Sequence, residues 1–145
     1  MSLASKRIVI TGGAGVLGQG VAQAAQSQGA DVVLLDVVAD APDLVGSLIQ
    51  VDLTDPTSLK QCFEQIGDFD VLANIAGGFA MGPAVYETED AMWNAMFTIN
   101  VTTLRRVLNE AVPRLLSRGR GSVINVGALG AMRGAPNMGA YLASK

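Results

Sequence analysis

Short apolar runs alternate along the chain with segments whose apolar residues recur at helical spacing. Five runs have the length and the Val, Ile and Leu content of buried strands, and they cover residues 8–10, 31–36, 48–52, 69–75 and 122–126. Strands that alternate with helices predict an α/β fold in which helices cover both faces of a doubly wound parallel sheet. With right-handed crossovers, the expected strand order is 3-2-1-4-5.

Start and stop signals place the first helices. The side of the first helix that is predicted to face the core carries Leu17, Val21, Ala24 and Ala25. A second helix is predicted to open at Thr54-Asp55-Pro56 and to end at Gly67. Its predicted apolar stripe consists of Leu59, Cys62, Phe63 and Ile66.

Prolines shape two other segments. Between residues 37 and 47, Pro42 and Gly46 leave too little room for a full helix, so we expect a loop or a single turn. A long helical pattern runs from residue 88 to 116. Pro113 within it should kink the helix or lie where its missing N–H costs little.

The first strand runs directly into the glycine-rich turn Thr11-Gly12-Gly13-Ala14-Gly15-Val16-Leu17-Gly18, and a helical pattern begins at once. Gly13, Gly15 and Gly18 therefore read GxGxxG between a strand and a helix, the context of a dinucleotide-binding βαβ unit. Such glycines allow a tight turn, a close approach to pyrophosphate and close helix–strand packing. The helix directs its free N–H groups at the phosphates. The pattern predicts a Rossmann-type nucleotide site, with a plain turn as the alternative.

Asp36 strengthens this prediction. It ends the second strand, 18 residues after Gly18, close to where a βαβ dinucleotide site has its acidic residue. Its carboxylate can accept hydrogen bonds from the adenosine ribose hydroxyls and would repel a 2′-phosphate. NAD(H) is therefore favoured over NADP(H). A solvated carboxylate at a strand end is the alternative.

Two more strand ends carry candidate residues. Asp52 and Leu53 follow the third strand, where a carboxylate and a backbone N–H could meet the adenine edge. An Asp that only leads into a helix fits equally well. The fourth strand ends in Asn74-Ile75-Ala76-Gly77-Gly78. Open α/β sheets bind ligands at the carboxyl ends of strands, so this segment belongs to the site or is an ordinary loop.

Composition narrows the chemistry. Half of the 145 residues are apolar, which fits one globular domain, and a net charge of −3 without a run of like charges argues against nucleic acid or an anionic membrane as partner. There is no histidine, and Cys62 is the only cysteine. We therefore expect no His-based triad, no metal site and no intrachain disulfide. No signal peptide or membrane-length apolar segment is visible, which predicts a cytoplasmic protein.

The last five residues hold a chemical pair. Tyr141 and Lys145 are four positions apart, hence on one face of a helix. A fixed cation nearby stabilises the phenolate and favours proton transfer near neutral pH. Lys145 could also hold the nicotinamide ribose. YxxxK alone is a common accident, but here it accompanies the glycine turn, Asp36, residues 74–77 and Asn100.

With these motifs the sequence resembles the short-chain dehydrogenase/reductase family over essentially its whole length. The resemblance implies an NAD(H)-dependent oxidoreductase that moves a hydride between nicotinamide and a small carbonyl, alcohol or conjugated imine, and a homodimer or homotetramer. It implies Tyr141 as general acid/base, Lys145 as its activator and Asn100 as holder of a proton-relay water. The cofactor residues that it implies are Gly12, Gly13, Gly15, Val16, Leu17, Gly18, Asp36, Asp52, Leu53, Asn74, Ala76, Gly77, Tyr141 and Lys145.

Two positions depart from the family pattern. Val16 stands where the usual pattern has its middle glycine, which moves that glycine forward to Gly15. Ala128 stands thirteen residues before Tyr141, where the family has its catalytic serine. Such a serine donates a hydrogen bond to the substrate oxygen, and losing a donor of this kind costs on the order of 2.7–4 kcal/mol of transition-state stabilisation.

Ala128 leaves alternatives open. Ser122 begins a strand and Ser144 projects from another helical face, so neither is a suitable replacement. Dihydropteridine reductases, a branch that this sequence resembles at residues 13–18, 36–38, 76–80 and 134–141, also carry alanine there and use NADH. They reduce a conjugated ring at which an oxyanion donor matters less. The other alternative is a dinucleotide-binding protein without turnover.

The sequence stops at Lys145, a few residues into a helical start, and the fifth strand is left as an apolar edge of the kind that invites aggregation. We therefore expect residues 1–145 to form a single dinucleotide-binding domain, the N-terminal part of a longer protein. An intact mass equal to 15.0 kDa would contradict that expectation.

Overall fold

Five parallel strands form one sheet in a computed structural model that describes residues 2–41 and 43–145. The strands are β1 (Arg7–Thr11), β2 (Asp31–Asp36), β3 (Ser47–Gln50), β4 (Val71–Asn74) and β5 (Ser122–Asn125). Their order across the sheet is β3-β2-β1-β4-β5. The predicted fold class and strand order are confirmed, with β3 and β5 at the edges.

Helices cover both faces of the sheet. They are α1 (Val16–Ser27), α2 (Pro56–Ile66), α3 (Asp90–Phe97), α4 (Thr103–Ser117) and α5 (Gly139–Ser144). Ile8 and Ile10 of β1 point into a core that includes the inner side of α1. Val9 points into the opposite core, which α2 and α4 complete with residues such as Phe63 and Val107. The period-2 alternation of β1 therefore serves two cores.

The inner face of α1 differs from the predicted one. Gly18, Ala22 and Ala25 are the buried residues of this helix. Leu17, which was predicted to face the core, is 54% exposed, and Ala24 is exposed as well. The helix presents its smallest side chains to the sheet because a larger one would hold it away from the glycine turn.

The second helix follows its sequence signals. Asp55 caps it, and its carboxylate accepts a 2.9 Å hydrogen bond from the Thr57 N–H, while Pro56 occupies the first turn. The helix ends at Gly67, whose φ is 66°. The predicted apolar stripe is buried, as Leu59, Cys62, Phe63 and Ile66.

The long helical region contains an irregular turn that the sequence did not reveal. A π-helical turn, Thr98–Thr102, separates α3 from α4 and holds the buried Asn100. Pro113 lies inside α4 at an exposed position, and the helix continues through it to Ser117. The interruption is thus at Asn100 and not at the proline.

The segment between β2 and β3 forms turns and bends without a helix in its described part, as expected; Pro42 lies outside the described residues. Gln19 of α1 holds this segment by accepting a hydrogen bond from Val45 N–H at 2.9 Å and donating one to the Gly13 carbonyl at 2.7 Å. In residues 2–41 and 43–145, no helix has both the length and the apolar character needed to cross a bilayer.

Strand register brings the predicted site segments to one edge. Thr11 pairs with Leu35 on one side and with Asn74 on the other. Asn74 in turn pairs with Asn125 of β5. The segments that follow β1, β2, β4 and β5 therefore all begin at the carboxyl edge of the sheet, where an open α/β sheet binds its ligand.

Candidate active site

The four glycines of the glycine turn have different steric roles. Gly12 has a φ of +67°, and a Cβ on it would lie 2.9 Å from Cα and N of Ala76. A Cβ on Gly13 would lie 2.6 Å from the Leu34 Cβ, and one on Gly18 would collide with the Gly12 carbonyl. Gly15, just before α1, is exposed. Gly12, outside the GxGxxG pattern, therefore makes the tight turn, and Gly15 leaves the backbone open.

A cleft of about 420 Å³ lies between this turn and the ends of the strands. Its lining consists of Gly12, Gly15, Val16, Leu17, Gly18, Leu35, Asp36, Val37, Val51, Asp52, Leu53, Thr54, Ile75, Ala76, Gly77, Ile99 and Thr103. Ten predicted cofactor residues are in this set. The other four, Gly13, Asn74, Tyr141 and Lys145, are not. Gly13 is buried against Leu34, and the Asn74 amide donates to Asn125 Oδ1 at 2.9 Å.

The amino end of α1 opens into the cleft. Gly15 supplies no side-chain cap, so the first N–H groups of the helix have no side-chain partner there. Val16, the first helical residue, is 96% exposed and lines the cleft with Leu17 and Gly18. An uncapped helix start beside a cleft has the geometry that binds an anion such as pyrophosphate.

In the part of the chain that the structure describes, both charged side chains of the cleft lining are carboxylates, and the lining includes no lysine or arginine. Asp36 accepts hydrogen bonds from Ala14 N–H at 3.0 Å and Val37 N–H at 2.8 Å, which fix it beside the glycine turn. Asp52 accepts from the Thr54 hydroxyl and N–H, both at 2.7 Å. The hydroxyl bond, followed by the N–H bond, lowers the pKa of Asp52.

Asn100 joins the fourth strand's loop to α5. Its Oδ1 accepts from Gly78 N–H at 2.9 Å, and its Nδ2 donates to the Gly78 carbonyl at 3.0 Å and to Ser144 Oγ at 2.9 Å. Both amide hydrogens and one lone pair of Oδ1 are therefore engaged within the protein.

Lys145 lies against the same loop. Its Nζ is 2.8 Å, and Asn100 Oδ1 is 2.7 Å, from the point where a Cβ on Gly77 would stand. Burial lowers the pKa of Lys145. Because Gly77 also lines the cleft, the ammonium is next to one end of it. The glycine turn and the Lys145 ammonium thus lie toward the same edge of the sheet.

Tyr141 and Phe79 form an aromatic corner. Their ring centroids are 4.8 Å apart and their planes meet at 86°, an edge-to-face contact that aromatic pairs favour. Phe79 directly follows the loop that Asn100 holds. The corner fixes one side of the tyrosine ring.

Ala128 is half-buried just before a 3₁₀ turn, Leu129–Met132. Ser122 is exposed at the start of β5, and Ser144 is buried with its hydroxyl hydrogen given to the Tyr141 carbonyl at 2.7 Å. Neither serine is placed to donate to a substrate oxygen in the role that Ala128 lacks.

Several residues that shape the site give no signal in the sequence pattern. Thr11 Oγ1 accepts from the N–H groups of Ile75 and Ala76 at 3.1 and 3.2 Å, and Gln19, Phe79 and Ser144 make the contacts described above. Each acts on a partner in another element, so periodicity gave no signal. The one hint in the sequence was Thr11 itself, a polar residue directly after the apolar run of the first strand.

Comparison with known proteins gives consistent findings. A family model described as short chain dehydrogenase matches residues 6–145. The short chain dehydrogenase adrF of Penicillium rubens is 35% identical over 146 residues, which cover 95% of this chain and 57% of that protein. The chain thus spans little more than half the length of this curated relative.

Two solved structures extend the comparison. A short chain dehydrogenase/reductase family protein superposes with a TM-score of 0.92 at 29% identity, covering 100% of this chain and 64% of that one. NADH-dependent reductase A1-R′ complexed with NAD has a TM-score of 0.85 at 27% identity, covering 99% and 68%.

Proposed function

This chain belongs to the short-chain dehydrogenase/reductase family, and from that premise we propose that it forms the dinucleotide-binding domain of an NAD(H)-dependent oxidoreductase. The proposed substrate is a small carbonyl, alcohol or conjugated imine. The observation that carries the proposal is the meeting of two features at Gly77: the cleft beside the glycine turn and the ammonium of Lys145.

The residues of the cleft fit a dinucleotide. The uncapped start of α1 and the open backbone at Gly15 suit a pyrophosphate, and Asp36 suits a ribose with free hydroxyls. Asp52 and Leu53, further along the same lining, suit the adenine. The nicotinamide ring would then extend toward Gly77, and when bound it supplies or accepts the hydride.

The chain's own residues would handle the proton. In the reductive direction, the Tyr141 hydroxyl gives its proton to the substrate oxygen or nitrogen as the hydride arrives at the adjacent carbon. The phenolate that remains is stabilised by the Lys145 ammonium, four residues further along. In the oxidative direction, the same phenolate takes the proton from the alcohol.

NAD(H) is the proposed cofactor. Among the described residues, the cleft lining is acidic and contributes no lysine or arginine to pair with a 2′-phosphate, and the NADH-dependent reductase at 27% identity is complexed with NAD. Replacing Asp36→Ala should weaken NADH binding by roughly tenfold, the effect of losing hydrogen bonds to a charged group. It should also relax discrimination against NADPH.

Titration calorimetry with NADH and NADPH on the full-length protein measures both effects. Asp40→Ala, at an exposed carboxylate in the neighbouring segment, is the matched control. An unchanged preference in Asp36→Ala would remove Asp36 from the cofactor site.

A second candidate function is supported by Ala128. Without the usual serine, the protein could bind NADH without turnover. Alternatively, it could reduce a conjugated imine, as in the dihydropteridine reductase branch, because the transition state of that reduction depends less on an oxyanion donor. The Tyr141–Lys145 pair favours an enzyme, because binding alone has little use for the phenol.

The deciding experiment follows NADH oxidation by the full-length protein with a panel of carbonyls and a quinonoid dihydropterin. The enzyme proposal is supported if turnover is observed and Tyr141→Phe reduces it by roughly a hundredfold, the lower range for general acid catalysis. Tyr86→Phe, at an exposed tyrosine, should have no effect. Tight NADH binding without oxidation across the panel would favour the non-catalytic binder.

The proposal includes a homodimer or homotetramer. Val101 and Leu116 are exposed apolar residues in the π turn and in α4, and a second copy of the chain could cover them. Light scattering on the full-length protein tests this, since a monomeric mass would contradict it.

A further inference from the structure

A buried hydroxyl connects α5, which carries Tyr141, to the loop that closes the cleft. Ser144 is 6% exposed. Its Oγ accepts a hydrogen bond from Asn100 Nδ2 at 2.9 Å and donates one to the Tyr141 carbonyl at 2.7 Å. The hydroxyl therefore uses its single hydrogen toward Tyr141 and a lone pair toward Asn100.

The orientation of the Asn100 amide follows from its partners. Gly78 presents both an N–H and a carbonyl to it, so Oδ1 must face the N–H and Nδ2 the carbonyl. One hydrogen of Nδ2 is then left for Ser144. Asn100 is itself only 7% exposed, which means that water does not readily replace a lost partner.

We infer that Ser144 is a positioning residue of this site: through Asn100 it holds the Gly77–Gly78 loop against α5 and thereby sets where Tyr141 and Lys145 stand relative to the cleft. This inference rests on the proposed function. Its physical basis is that a buried N–H without a partner is costly, so the amide must turn or shift when the hydroxyl is absent. Either movement displaces Gly78, and with it the neighbouring Gly77 that Lys145 touches.

The chain offers a matched control for the hydrogen bond that Ser144 donates to the Tyr141 carbonyl within α5. Ser117, at the end of α4, also donates to the carbonyl three residues earlier, at 2.8 Å, but it is exposed. Ser117→Ala removes the same intrahelical bond as Ser144→Ala without a buried amide at stake. A difference between the two variants therefore reports on the link to Asn100.

The first measurement tests the link without turnover. Hydrogen exchange of the Gly78 amide, which donates to Asn100 Oδ1, is compared in the full-length wild type, Ser144→Ala and Ser117→Ala. We expect exchange to accelerate roughly tenfold in Ser144→Ala, the equivalent of one lost hydrogen bond, and to stay at the wild-type rate in Ser117→Ala. Equal exchange in all three proteins would overturn the inference, whether or not the protein proves to be an enzyme.

The second measurement tests the consequence for catalysis. NADH-binding sites are counted by titration calorimetry, and turnover is expressed per binding site, so that unfolded protein does not contribute. Ser144→Ala should keep its AMP affinity within about twofold and lose roughly tenfold in turnover per site, and Ser144→Thr, which keeps a hydroxyl, should recover most of that turnover.

Three outcomes would each overturn the inference: undiminished turnover per site in Ser144→Ala, an equal loss in Ser117→Ala, or no recovery in Ser144→Thr. If the wild type binds NADH but does not oxidise it with any substrate of the panel, the proposed function is refuted. The exchange rates at Gly78 would then decide the inference.

Discussion

A side chain at position 77 would occupy the space in which two polar groups converge. Asn100 Oδ1 and Lys145 Nζ both lie within 3 Å of the point where its Cβ would stand, at 2.7 and 2.8 Å. A carbon atom cannot approach either group so closely, because real Cβ contacts are longer. Gly77 is therefore the residue that allows the lysine and the asparagine to meet beside the cleft.

Replacing Gly77→Ala should push Lys145 and Asn100 apart. We expect turnover to fall by at least about tenfold, since small displacements of positioned groups have large effects on rate. AMP affinity should not change, because the Asp36 and Asp52 end of the cleft is untouched. Gly20→Ala is the control, since a Cβ there meets nothing within 4 Å. Undiminished turnover in Gly77→Ala would show that Lys145 and Asn100 can move aside without loss of catalysis, and would contradict the role given to Gly77.

At this scale the sequence revealed the residues that belong to a spaced motif and missed those whose partners are distant in the chain. Asp36 and Tyr141 could be found because a strand end and a four-residue spacing have recognisable chemistry. Ser144 could not, because its partner Asn100 is 44 residues away. Phe79 could not be found either, because its contact with Tyr141 depends on how the loop after β4 packs against α5.

Among the elements, α2 shows how local signals determine a helix. Its cap, its proline and its terminal glycine act on neighbouring residues, and the structure has all three where the sequence predicted them. α1 and the region around Asn100 do not follow local signals. The inner face of α1 is set by how closely the glycine turn lets it approach the sheet, and the π turn by contacts of Asn100 with other elements.

Asp55→Ala should therefore destabilise the protein without touching the cleft lining. Removing a helix N-cap costs about 1 kcal/mol, because the Thr57 N–H loses the carboxylate that now accepts it at 2.9 Å. The free energy of unfolding in urea measures this effect. Asp40→Ala, which removes an exposed carboxylate, is the control. Asp43→Ala is unsuitable because Asp43 has a positive φ of 64°. Equal stability of Asp55→Ala and wild type would contradict the capping role.

Across the whole molecule, the two edges of the sheet carry different charges and tasks. The carboxyl edge holds the acidic cleft, and the amino edge holds a cluster around Asp70. The carboxylate of Asp70 accepts from Arg7 N–H at 3.1 Å and faces Lys6 and Arg118 at 3.5 Å and Arg120 at 3.8 Å. This cluster ties β1 to the segment that leaves α4, on the side of the sheet away from the strand ends that form the site.

Asp70→Asn should lower stability in a pH-dependent way. The Arg7 N–H bond and then the three cations lower the pKa of Asp70. A lowered folded pKa gives stability that is present above the unfolded value, about 3.9, and that is lost as pH falls through the folded value. We expect a loss of about 2 kcal/mol at pH 7, typical of hydrogen bonds to charged groups.

The difference between wild type and Asp70→Asn should shrink toward zero as the pH is lowered below about 4. Asp31→Asn, at an exposed ion pair with Arg7, should have a much smaller effect. Urea unfolding at several pH values measures both variants. A difference that persists in acid would show that Asp70 acts through its shape and not its charge.

The widened turn at Thr98–Thr102 has a consequence for how this protein can change. Each residue of a helix advances about 100° around the axis, so one residue more in a turn rotates everything that follows with respect to everything before it. Deleting a residue there would restore an unbroken spiral and at the same time carry Asn100 away from Gly78 and Ser144. The extra residue of this turn can therefore not be lost in evolution unless the asparagine leaves its partners as well.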